Sequence, residues 1–208
     1  MLCQALPNYL SAFFESFLYF ILSILAAKIG NEELASHNVC VSLFEVSITF
    51  AIGMAEATAV RIGFYVGRGH EDCAKSVATI GLLGGLIWGS SVGLFVYLVR
   101  ANLAAFLSTD KLVQDNIIAL CPLIAPSYAI DSIGKIFMGI LEGQGRAAEQ
   151  AKAFCIGSWG CAVPLAMISF FCTDLGLEGI WLSTLLGKSL TNSARFLFPI
   201  LHLRVDRN

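Results

Sequence analysis

Six continuous apolar runs, each about 20 residues or longer, constrain this chain more than any motif does. They extend from about Asn8 to Ile29, Ala35 to Val60, Val77 to Val99, Leu112 to Leu141, Ala151 to Cys172 and Leu177 to Leu203. Each reaches the roughly 20 residues with which a helix crosses the hydrocarbon core of a bilayer. Continuous runs point to helices, because barrel strands show ten-residue stretches of alternating polarity. The composition agrees: 57% of the residues are hydrophobic and 13% charged, with a mean hydropathy of +0.76. One soluble core of 208 residues could not hide that much apolar surface. The fold class is therefore all-α, a polytopic six-helix membrane bundle, with 1–208 read as a single membrane domain.

Charge bears on partners and orientation. The 13 Lys and Arg nearly balance the 15 Asp and Glu, so the chain lacks the basic face that nucleic acid requires. Seven basic residues fall on one side of the spans: Arg61, Arg68, Lys75, Arg146, Lys152, Arg204 and Arg207. The opposite loops hold only Lys28, Arg100 and Lys111, beside Glu32, Glu33, Asp110, Asp115, Asp174 and Glu178. By the positive-inside rule both termini are cytoplasmic, as an even number of spans requires. The first ten residues carry no charge, so no signal peptide is expected. Seven cysteines form no CxxC and no metal-ligand spacing; Cys40, Cys121, Cys155, Cys161 and Cys172 read as small apolar packing residues. No metal site and no organic cofactor is expected.

Ionisable groups inside the spans carry the functional signal, because a charge at the bilayer centre costs roughly 2.5–3.5 kcal/mol on insertion scales. Glu15, Glu45, Asp131 and Lys135 lie in or near span cores, while Glu56, Lys188 and Arg195 lie nearer span ends or in the sixth span. For Glu56 and Arg195 the favoured reading is a cytoplasmic rim or snorkelling. Glu15 follows Pro7 by eight residues, about 12 Å of helix, and Asp131 precedes Gly143 by twelve, about 18 Å. The two carboxylates thus reach similar depth and could hold a proton or small cation between them. Pro122 and Pro126 imply a bent fourth helix, ahead of the polar cluster Ser127, Tyr128, Asp131, Ser132 and Lys135.

Several stretches, in order, resemble the C-terminal half of a multidrug and toxic compound extrusion (MATE) transporter. Glu15 stands fifteen residues before Gly30, like the glutamate of the family's seventh helix. Ala35-Ser36-His37-Asn38 is similar to the opening of its eighth. Gly53 through Arg61 and Gly63, then Gly67, Gly69 and Ala74, follows that helix's glycine–arginine pattern. Asp131 to Gly143 keeps the acid-to-glycine spacing of the tenth helix, and Gly176 to Trp181 resembles the start of the last. The resemblance implies a secondary transporter, or a lobe of one, that exports organic cations in antiport with H⁺ or Na⁺. Glu15 and Asp131 take the cation- or proton-binding positions, and Asn38, Glu45, Tyr128 and Lys135 are substrate-cavity candidates. The family has two such lobes, so a second six-helix lobe or a homodimer is the implied partner. Glu142 departs from the family's usual arginine and Lys135 from its usual apolar residue. At i,i+4, Lys135 could pair with Asp131 and occupy the site with a tethered ammonium; the alternative is that it snorkels to the cytoplasmic face. The competing reading is a truncated, non-transporting membrane protein that serves only as an interaction partner. An enzyme is not expected, because no nucleophile–base or HExxH constellation appears.

Overall fold

The computed structural model describes residues 2–173 and 175–201. Its helices are α1 (Leu2–Ile29), α2 (Asn31–Gly67), α3 (Glu71–Leu107), α4 (Lys111–Gly143), α5 (Ala147–Phe154), a π-helical segment (Cys155–Ala162), α6 (Val163–Cys172) and α7 (Gly176–Leu201). No strand occurs among the described residues. The chain is an all-α, multi-pass integral membrane protein. Five helical stretches are long and apolar enough to cross a membrane, one of them the continuous run Ala147–Cys172. α7 is long enough at 26 residues but carries Glu178, Lys188 and Arg195, and it is not one of these five. Asp174, His202, Arg204 and Arg207 lie outside the described residues.

α2 and α3 each run for 37 residues, about 55 Å at 1.5 Å per residue, against a hydrocarbon core of about 30 Å. They therefore continue beyond the bilayer and meet at Arg68–His70. Arg61 and Lys75, expected in a loop, stand on these helical extensions. Two turns on this side share one design. Gly69 and Gly145 each adopt φ 75°, a left-handed conformation that glycine enters without a Cβ clash. His70 N–H then donates to Tyr65 O and Arg146 N–H to Leu141 O, closing the carbonyls of the preceding helix.

Apolar side chains face outward as well as inward, as a lipid solvent demands. Val46, Val60, Ile80, Ile87, Leu94 and Leu98 are all exposed. The interior is held by close backbone approach. Gly81, Gly85, Gly89 and Gly93 recur every four residues on α3 and are buried. A Cβ at Gly89 would lie 2.6 Å from Ala129 Cα and 2.6 Å from Tyr128 O, both backbone atoms of α4. α4 offers its own small residues to α2: a Cβ at Gly143 would lie 2.6 Å from Ala59 O, and one at Gly139 would strike Ala55 O. Small residues at such faces let membrane helices pack by van der Waals contact where no hydrophobic drive operates between them. α4 thus sits clamped between α2 and α3, and its other side meets α7.

Pro122 and Pro126 do not interrupt the fourth span: α4 runs through both as one helix. The irregularity falls in the fifth span, where eight residues wind as π-helix ahead of Pro164, near the start of α6. Pro164 has no N–H, and its ring crowds the carbonyl four residues back, at Gly160; a widened turn relieves both. Among the cysteines, Cys40 and Cys121 are buried as expected, whereas Cys155 and Cys172 are exposed. Both lie on the fifth span, whose outward face is apolar in any case.

Glycine placement predicts unequal tolerance. Gly89→Val should cost about 1–3 kcal/mol of thermal stability in detergent, as overpacking does. Gly53→Ala, where nothing lies within 4 Å of the added carbon, should stay within about 0.5 kcal/mol of the parent. Equal effects would contradict the clamp.

Candidate functional site

Three helices bring ionisable side chains to one cleft. α1 supplies Glu15 and Tyr19, α4 supplies Asp131 and Lys135, and α7 supplies Lys188, Asn192 and Arg195. Spacing explains the convergence. Glu15 and Tyr19 are one turn apart, as are Asp131 and Lys135, and Lys188, Asn192 and Arg195 recur at i, i+4 and i+7. Each helix therefore turns a single polar edge towards the others.

The geometry is that of two ion pairs formed between helices. Lys135 Nζ donates to Glu15 Oε1 at 2.8 Å and to Oε2 at 3.0 Å. Lys188 Nζ lies 3.3 Å from Asp131 Oδ1 and donates to the Tyr19 hydroxyl at 2.9 Å. The same ammonium sits 4.0 Å from the centre of the Phe44 ring, a cation–π contact. Arg195 Nη1 donates to Gly134 O at 3.1 Å and approaches Asn192 Oδ1 at 3.5 Å. Asn192 in turn donates to Ile130 O at 2.5 Å, tying α7 to α4. The α7 polar edge is thus anchored to α4 backbone on one side and to α4 and α1 side chains on the other.

This arrangement sorts the residues singled out from sequence. Glu15 and Asp131 line the same cleft, as their depths imply. Each, however, faces its own ammonium. Lys135 pairs across to Glu15 on α1 instead of along the helix to Asp131, and it does not snorkel: it is buried. Tyr128 is buried against Phe44, with ring centres 5.0 Å apart, and does not itself line the cleft. Asn38 and Glu45 lie on the exposed side of α2, and neither lines the cleft. Arg195 is no rim residue; it is buried within the bundle. Four of these cleft residues, Tyr19, Lys188, Asn192 and Arg195, are not among the site candidates that the sequence offers. Lys188 does carry a signal: it follows Gly176 by twelve residues, about 18 Å of helix, the same depth count that singles out Asp131.

Energetics bind each pair together. Charges withdrawn from water recover their desolvation cost only while paired, and removing one partner of a buried pair typically costs about 3–5 kcal/mol. Glu15 keeps 30% of its side chain exposed, so its pair belongs at or below the lower end of that range. Glu15→Gln and Lys135→Met should each destabilise the protein, and the double variant should recover at least about 1 kcal/mol relative to their sum. The cycle Asp131→Asn with Lys135→Met should show clearly weaker coupling. The reverse order in thermal unfolding would contradict the pairing.

Comparison with known proteins agrees with this architecture. The MatE family profile matches residues 7–168. A probable multidrug resistance protein NorM of Shewanella oneidensis is 27% identical over 197 residues, covering 93% of this chain and 42% of that protein. Multidrug and toxin extrusion protein 2 of Mus musculus is 26% identical over 177 residues, covering 85% of this chain and 31% of the relative. The chain therefore spans less than half the length of these curated relatives. Among solved structures, the eukaryotic MATE transporter AtDTX14 shares the fold with a TM-score of 0.89 at 20% identity, over 94% of this chain and 44% of that one. Five apolar stretches of membrane-spanning length together with α7, a polar edge on three of these helices and a family profile matching most of the sequence place this chain in the multidrug and toxic compound extrusion family of membrane transporters.

Proposed function

We propose that the chain forms one lobe of a secondary transporter that exports organic cations in exchange for protons, with Glu15 and Asp131 as the coupling carboxylates. The occupied state of both carboxylates carries this reading. Na⁺ asks for several oxygen ligands around one vacant position, and here each acid already holds a lysine ammonium. A proton needs no vacancy. Neutralising Glu15 would weaken its hold on Lys135, and deprotonation would restore the pair. An organic cation would compete with the tethered ammonium for the same carboxylate, so proton and substrate would be mutually exclusive. Lys135 and Lys188 then act as built-in counter-cations that keep the site neutralised between the two.

Repeat-built carriers hold their cavity between two lobes. A single six-helix lobe offers one wall, so the complete cavity is proposed to form with a second lobe, from a longer chain or from another copy. The loop charge bias supports both termini on the cytoplasmic side, with the Gly69 and Gly145 turns facing the cytoplasm.

Two measurements test this. In proteoliposomes containing the chain together with its second lobe, an imposed pH gradient should drive accumulation of a fluorescent organic cation, and a Na⁺ gradient at constant pH should not. Glu15→Gln should lose the coupling while inserting normally; flux driven by Na⁺ alone, or coupling retained in that variant, would overturn the assignment. Separately, His70→Cys in a cysteine-free background should react with membrane-impermeant thiol reagents only after the membrane is opened. Labelling of intact cells would reverse the orientation.

A further inference from the structure

Within the cleft, the cations outnumber the acids. Lys135 and Lys188 are matched by Glu15 and Asp131, but Arg195 forms no ion pair among the described residues. Its side chain is only 7% exposed, and its Nε–H is buried without a hydrogen-bond partner. Its one hydrogen bond within 3.2 Å goes to a neutral carbonyl, Gly134 O. Besides Glu15 and Asp131, Glu142 is the acid whose charge acts on Arg195, and it forms no ion pair with it; Glu45, on the exposed side of α2, acts on Lys135 and Lys188 instead. We propose that this cleft binds one monovalent anion, either a free halide or the carboxylate of a transported molecule, on the Arg195 guanidinium beside Lys135 and Lys188.

Three observations converge on that class of ligand. A buried guanidinium N–H with no acceptor is costly, and an anionic acceptor makes the strongest available bond to it. The five ionised groups that line the cleft sum to one positive charge, and Glu142 and Glu45 act on it from outside the lining, so the site suits at most a monovalent anion. The space open to a water-sized occupant is about 20 Å³, room for about one such molecule. A chloride or bromide fits; a bulky polyhydroxy acid does not, while a small acid could present its carboxylate from the open side. The inference does not depend on the proton-coupling proposal, because it concerns binding by the folded chain and is read without transport.

The test is thermal unfolding of the purified chain in detergent at fixed ionic strength, with sodium gluconate progressively replaced by chloride, bromide or acetate. The expected result is a saturable rise in the unfolding midpoint with chloride and bromide. Saturation by acetate as well assigns the site to carboxylates in general; saturation by acetate alone assigns it to the substrate's carboxylate. Arg195→Gln should abolish the saturable rise. Arg195→Lys keeps the charge but loses the planar fork, and should raise the half-saturating concentration at least tenfold; it carries the test if the glutamine variant does not fold. No saturable rise with any of the three anions, or an unchanged half-saturating concentration in Arg195→Lys, would overturn the proposal.

Discussion

No water solvates a charge in the hydrocarbon core, so every ionised group there must meet an opposite charge or a strong dipole within the protein. That requirement organises the inner face of this bundle. Lys135 on α4 reaches Glu15 on α1, and Lys188 on α7 reaches Asp131 on α4. With three helices joined by two charge pairs, each helix is held in register and rotation by a contact that is costly to leave. Arg195, gripping the Gly134 carbonyl, adds a third tie between α7 and α4.

Those pairs form only because the helices come close enough, and glycine sets the distance. Gly85, Gly89 and Gly93 let α3 ride on α4 backbone, Gly81 leaves room for the Thr58 and Ile136 side chains, and Gly139 and Gly143 let α4 ride on α2. Fixed between two helices, α4 presents Asp131 and Lys135 in one direction only, towards α1 and α7. The π-helical segment contributes on the other flank. Gly157 there lies against Thr191 of α7, where a Cβ would strike the threonine hydroxyl, and Gly187 of α7 lies against Ala162. α7 is therefore packed from both sides at the level of its polar edge.

Much of this architecture is legible in the sequence, for physical reasons. Apolar length marks a spanning helix regardless of context, so the six runs fall close to the helices that form. Rise per residue fixes depth, so counting from Pro7 and Gly143 puts Glu15 and Asp131 at one level. Helix rotation is not fixed by spacing alone, and partner choice depends on it. Counting residues puts Lys135 one turn from Asp131, but its long side chain is aimed at α1. Lys188 and Arg195 resemble span-end charges until α7 packs and turns them, as one polar edge, into the bundle. In sequence the glycine rows are indistinguishable from other small residues of an apolar run, since their role exists only against a neighbouring backbone. Pro122 and Pro126 are the more conspicuous prolines, yet the irregular winding falls beside Pro164.

The central claim is that Glu15 already holds the Lys135 ammonium, and one measurement reads that contact directly. Solid-state NMR of the chain in lipid, labelled with ¹⁵N-lysine and ¹³C-glutamate, reports the dipolar coupling between a lysine Nζ and a glutamate carboxyl carbon. With Nζ 2.8 and 3.0 Å from the two carboxylate oxygens, a strong coupling should appear and should vanish in both Lys135→Met and Glu15→Gln. Absence of that coupling in the parent protein, or its persistence in either variant, would contradict the account.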